Sequence, residues 1–248
     1  MTTSKQRRPI KLAEAKILKR QDLTEDLWLI WLEKPEGFTF KPGQYCTIGA
    51  EGIERPYSIV SAPHEDLLEL FIELVPSPDG VLTPVLWRLG EGDSVTIRPR
   101  AKGIFTMKPA VPNHFMVATV TGVVPYVSII RDYLHHGREG HHFYVLEGAS
   151  YPDEFAYDKE LEELSRLHSE TVSFVPTVSR PHEEQSNDWQ GETGRVNMIV
   201  ERYAKEFGLV PEDTLTYACG HPGMIEDVKS RMTPLGYEII EERFWKED

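Results

Sequence analysis

Near Val111 the hydrophobic pattern of this chain changes its period. Before that point short apolar runs recur at strand length, with turn residues between them and few helices. Beyond it, strand-length runs alternate with helix-length ones. The change predicts two units of different architecture. Residues 1–108 read as an antiparallel β-barrel. Residues 109–248 read as an α/β unit on a five-stranded parallel sheet with helices on both faces. At 248 residues the chain is long enough for two ordinary domains.

In the first unit, Ile10–Leu18 and Leu27–Leu32 carry short-period apolar patterns, and Gln44–Ile48, Leu67–Val75 and Ser94–Ile97 complete the strands. Pro35-Glu36-Gly37 and Lys41-Pro42-Gly43 mark turns. One helix is expected from about Pro84 to Leu89, entered through Asp79-Gly80-Val81-Leu82-Thr83, with Thr83 as N-cap and Pro84 at the first helical position. A glycine before a capped helix start offers backbone N–H groups to an anion; the same residues also serve as a plain cap. Arg55-Pro56-Tyr57-Ser58 falls between two strands. On an extended segment Arg55 and Tyr57 share one face. A guanidinium, a ring and a hydroxyl in this order suit a flat anionic ligand. They equally describe an edge strand with a surface arginine and a half-buried tyrosine.

In the second unit, strands are expected at Phe115–Thr119, His142–Leu146, Val172–Thr177, Thr214–Ala218 and Tyr237–Glu241. Helices are expected at Pro125–Leu134, Asp158–Leu167, Asn197–Phe207 with an asparagine cap, and Pro222–Met232. Parallel sheets bind ligands at the carboxyl ends of their strands. The loops at those ends are Val120-Thr121-Gly122-Val123-Val124-Pro125, Val178-Ser179-Arg180 running on to Gly194-Arg195, and Cys219-Gly220-His221-Pro222-Gly223-Met224. Thr121 and Gly122 link a strand to a helix N-terminus, which favours a pyrophosphate. Ser179, Arg180 and Arg195 can hold a phosphate, or be ordinary loop residues. Cys219 falls at a strand tip, where buried cysteines are often inert packing.

A net charge of −13 argues against nucleic acid as a main partner. Residues 1–10 are polar and basic, unlike a secretory signal. The most apolar run, Phe115–Ile130, is broken by Thr121, Gly122 and Pro125, too short and interrupted for a membrane span. Two cysteines, Cys46 and Cys219, are too few for an iron–sulfur cluster and far apart for a disulfide framework. His135-His136 and His141-His142 are assigned to a solvated helix end and loop, with no metal. A soluble cytoplasmic protein is expected.

Taken in order, these segments resemble the bacterial ferredoxin–NADP reductase family over nearly the whole chain. Arg55-Pro56-Tyr57-Ser58 looks like its flavin motif, and Gly80-Val81-Leu82-Thr83 like its flavin-phosphate segment. Thr121–Pro125 with Tyr126–Arg131 looks like its nicotinamide-cofactor loop and helix. Val178-Ser179-Arg180 and Cys219-Gly220-His221-Pro222-Gly223-Met224 match two further motifs, and Glu242-Arg243-Phe244-Trp245 resembles its aromatic tail. The resemblance implies FAD in the barrel and NADPH on the sheet, with NADH as an alternative donor. It implies that Tyr57 stacks on the isoalloxazine and Ser58 bonds its N5 edge. Arg55, with Pro56 beside it, and the Gly80, Val81, Leu82 and Thr83 backbone then hold the FAD pyrophosphate. Thr121, Gly122, Ser179, Arg180 and Arg195 hold the coenzyme, and Phe244 and Trp245 cover the flavin. Ser58, Tyr57, Cys219 and Glu242 stand at the reacting centre.

The family activity implied is hydride transfer between NADPH and FAD, then electron transfer to ferredoxin or flavodoxin. Another protein acceptor (a disulfide or an oxygenase carrier), or an FAD electron-transfer subunit without NAD(P)H binding, stays open. Two departures bear on this. Val120 stands where the family loop has glycine and Val124 where it has a small residue, and glycine serves where backbone must adopt positive φ. Gly148-Ala149-Ser150-Tyr151 lacks an arginine that relatives often carry. Arg98, Arg100, Lys102 and Lys108, with Lys16, Lys19 and Arg20, form the local basic patches available to an acidic partner.

Overall fold

The computed structural model describes residues 11–243. Its first sheet contains β1 (Ala13–Asp22), β2 (Leu27–Glu33), β3 (Tyr45–Ala50), β4 (Ile53–Ser58), β5 (Leu67–Glu73) and β6 (Ser94–Ile97). They run antiparallel in the order β4-β3-β6-β1-β2-β5. The two ends of the sheet approach each other where Val60 N–H donates to Glu69 O at 2.9 Å, so the sheet curls into a nearly closed barrel. Trp28, Ile30, Leu32, Leu68, Leu70 and Ile72 fill its interior. The alternate residues Leu27, Leu29 and Phe71 pack outward into a second core that belongs mainly to the following unit. That second burial is why Leu27–Leu32 reads as a continuous apolar run.

The first strand lies further along the chain than its apolar pattern suggested. Its ladder is irregular between Ile17 and Lys19, which breaks the period-two signal. Arg55-Pro56-Tyr57-Ser58 forms the end of β4, on the sheet edge. The short helix α1 (Thr83–Trp87) begins one residue earlier than expected, so Thr83 lies inside it. Its hydroxyl does not cap the helix. It donates to Val75 O and accepts from Val75 N–H, both at 3.0 Å, and so closes the preceding loop.

The second sheet contains β7 (Asn113–Thr119), β8 (His142–Ala149), β9 (Val172–Val178), β10 (Glu192–Thr193), β11 (Thr214–Gly220) and β12 (Glu238–Arg243). All pairs are parallel, in the order β10-β9-β8-β7-β11-β12. The five expected strands are present. The two-residue β10 extends the edge and is too short to carry a hydrophobic period. Helices α2 (Val124–His135) and α3 (Asp158–Leu167) contribute to the core shared with the barrel. Helices α4 (Val200–Glu206) and α5 (Pro222–Met232) cover the opposite face. The expected asparagine cap at 197 is absent. Asn197 lies in a 3-10 turn and donates to Asp227 Oδ2 at 2.7 Å instead.

Polar contacts tie the barrel to the sheet unit. Ser128 Oγ donates to Ser61 O at 2.8 Å. Glu69, almost fully buried, accepts from Arg131 at 2.8 Å and from the Tyr157 hydroxyl at 2.9 Å.

Candidate functional site

Three distant segments meet where the barrel abuts the parallel sheet. Cys219, near the end of β11, is the register partner of Glu242 on β12. Ser58 closes β4, and its hydroxyl donates to Glu242 Oε1 at 3.5 Å. Burial pushes the Glu242 carboxyl up from 4.5 to about 7, while the Ser58 hydroxyl pulls the other way. The Cys219 thiol is fully buried; burial first, and then the Glu242 charge, push it well above the ordinary thiol value. It is therefore a neutral thiol. Tyr126, fully buried behind them, donates to Val117 O at 2.9 Å.

Tyr57 lies beside this trio, half-buried. Burial raises its hydroxyl above the usual range and the nearby Arg55 guanidinium opposes the rise, consistent with the shared face expected from strand alternation. Arg55 and Pro56 are exposed, and Arg55 donates to Glu54 O at 2.8 Å. The segment Gly80–Thr83 is wound tightly on itself. A Cβ at Gly80 would stand 1.7 Å from Val75 O, so only glycine fits. Leu82 turns its side chain into the barrel core, and its carbonyl accepts from the Val85 and Leu86 N–H groups at 2.9 and 3.0 Å. Among the described residues the Val81 and Leu82 amides have no acceptor within the chain. Phe244 and Trp245 lie outside the described residues.

A cleft of about 860 Å³ runs along the carboxyl ends of β7, β8, β9 and β11. Thr121, Ser179, Arg180 and Arg195 line it. Gly122 does not. It lies against Cys219, whose carbonyl oxygen would be 2.2 Å from an added Cβ. Its role is to let the two strand-end loops touch. Thr119 reinforces that contact by accepting from His221 N–H at 2.9 Å. Sequence reading passed over Thr119, although a hydroxyl residue ending a strand before such a loop was a usable signal. It also missed Asp26, Glu73 and Glu154, which line the cleft as well.

Val120 takes φ +43, a left-handed conformation that a β-branched residue adopts only under strain. Its side chain packs against both neighbouring apolar clusters, which holds the turn in place. Val124, fully buried, begins α2. The strain is about 1–2 kcal/mol. Val120→Gly is therefore expected to cost less stability than Val120→Ala, although it removes more side chain. Urea unfolding of the two variants measures this; the opposite order would mean the turn carries no strain.

Residues 116–230 match the family model described as an oxidoreductase NAD-binding domain. The flavodoxin/ferredoxin–NADP reductase of Escherichia coli (strain K12) is 30% identical over 227 residues, covering 86% of this chain and 87% of that protein. This chain belongs to the ferredoxin–NADP reductase family. Among solved structures, a ferredoxin NADP+ reductase from Neisseria gonorrhoeae with bound FAD and NADP superposes with a TM-score of 0.83. It is 27% identical, and the match covers 96% of this chain and all of that one. The gamma subunit of sulfhydrogenase 1 from Pyrococcus furiosus is 29% identical over 237 residues, covering 92% of this chain and 77% of that subunit.

The residues present fit the two groups that bind in such a reductase. A glycine-only turn with free amides and the edge arginine of β4 suit one pyrophosphate. A cleft at strand carboxyl ends, lined by Thr121, Ser179, Arg180 and Arg195, suits a dinucleotide.

Proposed function

We propose that this reductase moves electrons between NADPH and a small redox protein, ferredoxin or flavodoxin, by way of FAD held against the barrel. The convergence of Ser58, Cys219 and Glu242 from three segments, beside a nucleotide-sized cleft, carries this reading. When bound, the flavin and the nicotinamide supply the hydride chemistry.

The protein's part is alignment, exclusion of water and proton handling. Tyr57 provides a ring platform, and Arg55 with the Gly80–Thr83 backbone holds the diphosphate. Cys219 would border the nicotinamide as a neutral thiol. Glu242, near its midpoint at neutral pH, exchanges a proton through the Ser58 hydroxyl. Thr121, Ser179, Arg180 and Arg195 hold the coenzyme. Phe244 and Trp245 are assigned to the flavin cover from the resemblance alone. We divide the chain into a flavin unit, 1–108, and a coenzyme unit, 109–248.

No described helix is long and apolar enough to cross a membrane. We place the protein in the cytoplasm. For the acidic partner, the basic patch is smaller than its sequence suggested. Arg98 is paired with Glu54 through two contacts of 2.9 Å, and Arg20 with Asp22 at 2.7 Å. Lys16, Lys19, Arg100 and Lys102 remain exposed and without an ion pair among the described residues, and form the docking charge.

Anaerobic rapid mixing of the FAD-loaded protein with NADPH tests the reading. Bleaching of the flavin band within the mixing experiment is the expected result. Firmly bound FAD that neither NADPH nor NADH bleaches would sink the assignment of the cleft and leave a protein that takes its electrons elsewhere.

A further inference from the structure

Behind Cys219, the core shared by the two units contains three buried tyrosines, Tyr126, Tyr217 and Tyr133, and the fully buried His114 beside them. Burial, then the Cys219, Tyr217 and Glu242 charges, raise the Tyr126 phenol, which places that ring next to the proposed reacting centre. From there the rings make a continuous path. Tyr126 stands 6.4 Å from Tyr217, centroid to centroid, and Phe105 packs on both at 6.0 and 5.6 Å. Tyr217 is 5.7 Å from His114, which stacks on Phe143 at 5.0 Å. Phe143 meets Tyr133 at 4.9 Å. His141 lies 5.4 Å from His114 and 5.6 Å from Tyr133, and is only half-buried. The path therefore runs from the reacting centre to the surface.

One polar arrangement occurs twice along it. The Tyr217 oxygen accepts the Lys108 N–H at 3.1 Å, and its hydroxyl lies 3.1 Å from His114 Nδ1. The Tyr133 oxygen accepts the His141 N–H at 3.1 Å, and its hydroxyl lies 3.2 Å from His141 Nδ1. In each pair a backbone amide donates to the phenol oxygen, so the hydroxyl hydrogen is left for the imidazole. His141 Nε2 faces Pro109 O at 3.4 Å, which puts the ring proton there and leaves Nδ1 as the base. Burial, then the neighbouring His141, lower His114 to about 3, so it too is a neutral imidazole. Both separations are within the reach of direct proton transfer, about 2.6–3.2 Å. Tyr126 has no such base and donates to Val117 O. His114 Nε2 is buried and has no partner among the described residues. That costs stability, and packing alone would be better served by an apolar ring.

We propose that Tyr126, Tyr217 and Tyr133, with His114 and His141 as proton acceptors, form a relay that draws an oxidising equivalent out of the reacting centre to the surface, and so protects the site from one-electron oxidants. This rests on the flavin reading of the site. The oxidant is an oxygen-centred radical, of the class produced where a reduced flavin meets dioxygen. It takes one electron from Tyr126 and a proton from solvent. Tyr126 is refilled from Tyr217 and keeps its own proton. Tyr217 gives its proton to His114 Nδ1 and becomes a neutral phenoxyl radical; an oxidised phenol is acidic enough for a weak base to take the proton. Tyr133 then supplies an electron to Tyr217, whose proton returns from His114, while the Tyr133 proton passes to His141 Nδ1. At the surface a thiolate in solution gives one electron to Tyr133 and becomes a thiyl radical, and His141 returns the proton. Only O–H bonds break, and each is remade.

The test needs no coenzyme and no turnover. FAD-loaded protein is illuminated without oxygen in the presence of ferricyanide and then frozen. Excited FAD is itself a one-electron oxidant, and ferricyanide removes the electron from the flavin, so an oxidised side chain persists. The electron paramagnetic resonance signal of a tyrosyl radical is expected in the wild type. Tyr217→Phe keeps the ring and removes the O–H, and is expected to lose that signal. Tyr133→Phe should leave a radical on Tyr217 with a different line shape and faster decay. Tyr144→Phe, in a half-buried tyrosine on the opposite face of the same sheet, should change nothing. Tyr57 is present in every variant, so any radical it carries is common to all. Flavin absorbance and thermal unfolding check that each variant is loaded and folded. No wild-type signal, a signal unchanged in both Tyr217→Phe and Tyr133→Phe, or an equal loss in Tyr144→Phe overturns the proposal while bound FAD leaves the flavin reading intact. A protein that takes up no FAD overturns the flavin reading, and the proposal with it.

Discussion

Arg131→Met is expected to lower the unfolding free energy by about 3–5 kcal/mol, the cost of stripping a buried carboxylate of its partner. The carboxylate is Glu69, on the face of β5 turned toward the sheet unit and 4% exposed. Its two oxygens are divided between Arg131, at 2.8 Å, and the Tyr157 hydroxyl, at 2.9 Å. Arg131 also grips Glu160 through two contacts of 2.7 Å and lies 3.5 Å from Glu65. Methionine keeps much of the apolar stem but removes the charge. Glu69 then keeps one neutral donor and loses the charge that compensated its burial. The double variant Arg131→Met/Glu69→Gln should regain most of the loss, since a glutamine oxygen still accepts from Tyr157 and carries no charge. Urea unfolding at neutral pH decides it. Losses that simply add in the double variant would mean the two side chains are not coupled.

That network also marks where sequence reading stops. Glu69 and Arg131 are 62 positions apart, and nothing in either local pattern announces the other. Both sit in elements whose existence was plain, because an apolar period shows which face is buried but not what meets it there. Helices α3 and α5 fall where their periods placed them, at Asp158–Leu167 and Pro222–Met232. Capping was less legible, since a hydroxyl or amide near a helix start takes whichever partner tertiary structure offers. Thr83 found Val75 and Asn197 found Asp227. The departure at Val120 was legible, because a valine in a glycine position has few ways to be accommodated, and the backbone takes the strained one. The cleft's acids escaped notice for the opposite reason. Asp26, Glu73 and Glu154 are ordinary surface-type residues until the fold brings two loops and a strand end together. At the proposed hydride site the motifs pointed to Ser58 and Cys219, but the position of Glu242 beside them depends on β12 pairing with β11 in one particular register.

Glu242→Gln is expected to do two opposite things at alkaline pH. The carboxyl titrates at about 7 in the folded protein and at 4.5 in the ordinary state, because burial disfavours its charge. Between those values the folded protein holds a proton that the unfolded chain has released. The stability this contributes is present below about 4.5 and is lost as pH rises through about 7, a change of about 3 kcal/mol. Glutamine has no charge to bury. The variant should therefore match the wild type near pH 4 and exceed it at pH 8 by up to that amount. Its reaction should change in the other sense. If Glu242 relays a proton through Ser58, the wild-type rate of flavin reduction varies across pH 6–8. The variant should be slower by about 10²-fold at the wild-type optimum and flat across the same range. Denaturant unfolding at several pH values and rapid-mixing rates over the same series read the two effects separately. A stability difference independent of pH would show that Glu242 is not perturbed by burial. A shifted stability profile with an unchanged rate profile would confine the residue to the wall of the site and leave the proton to travel by another route.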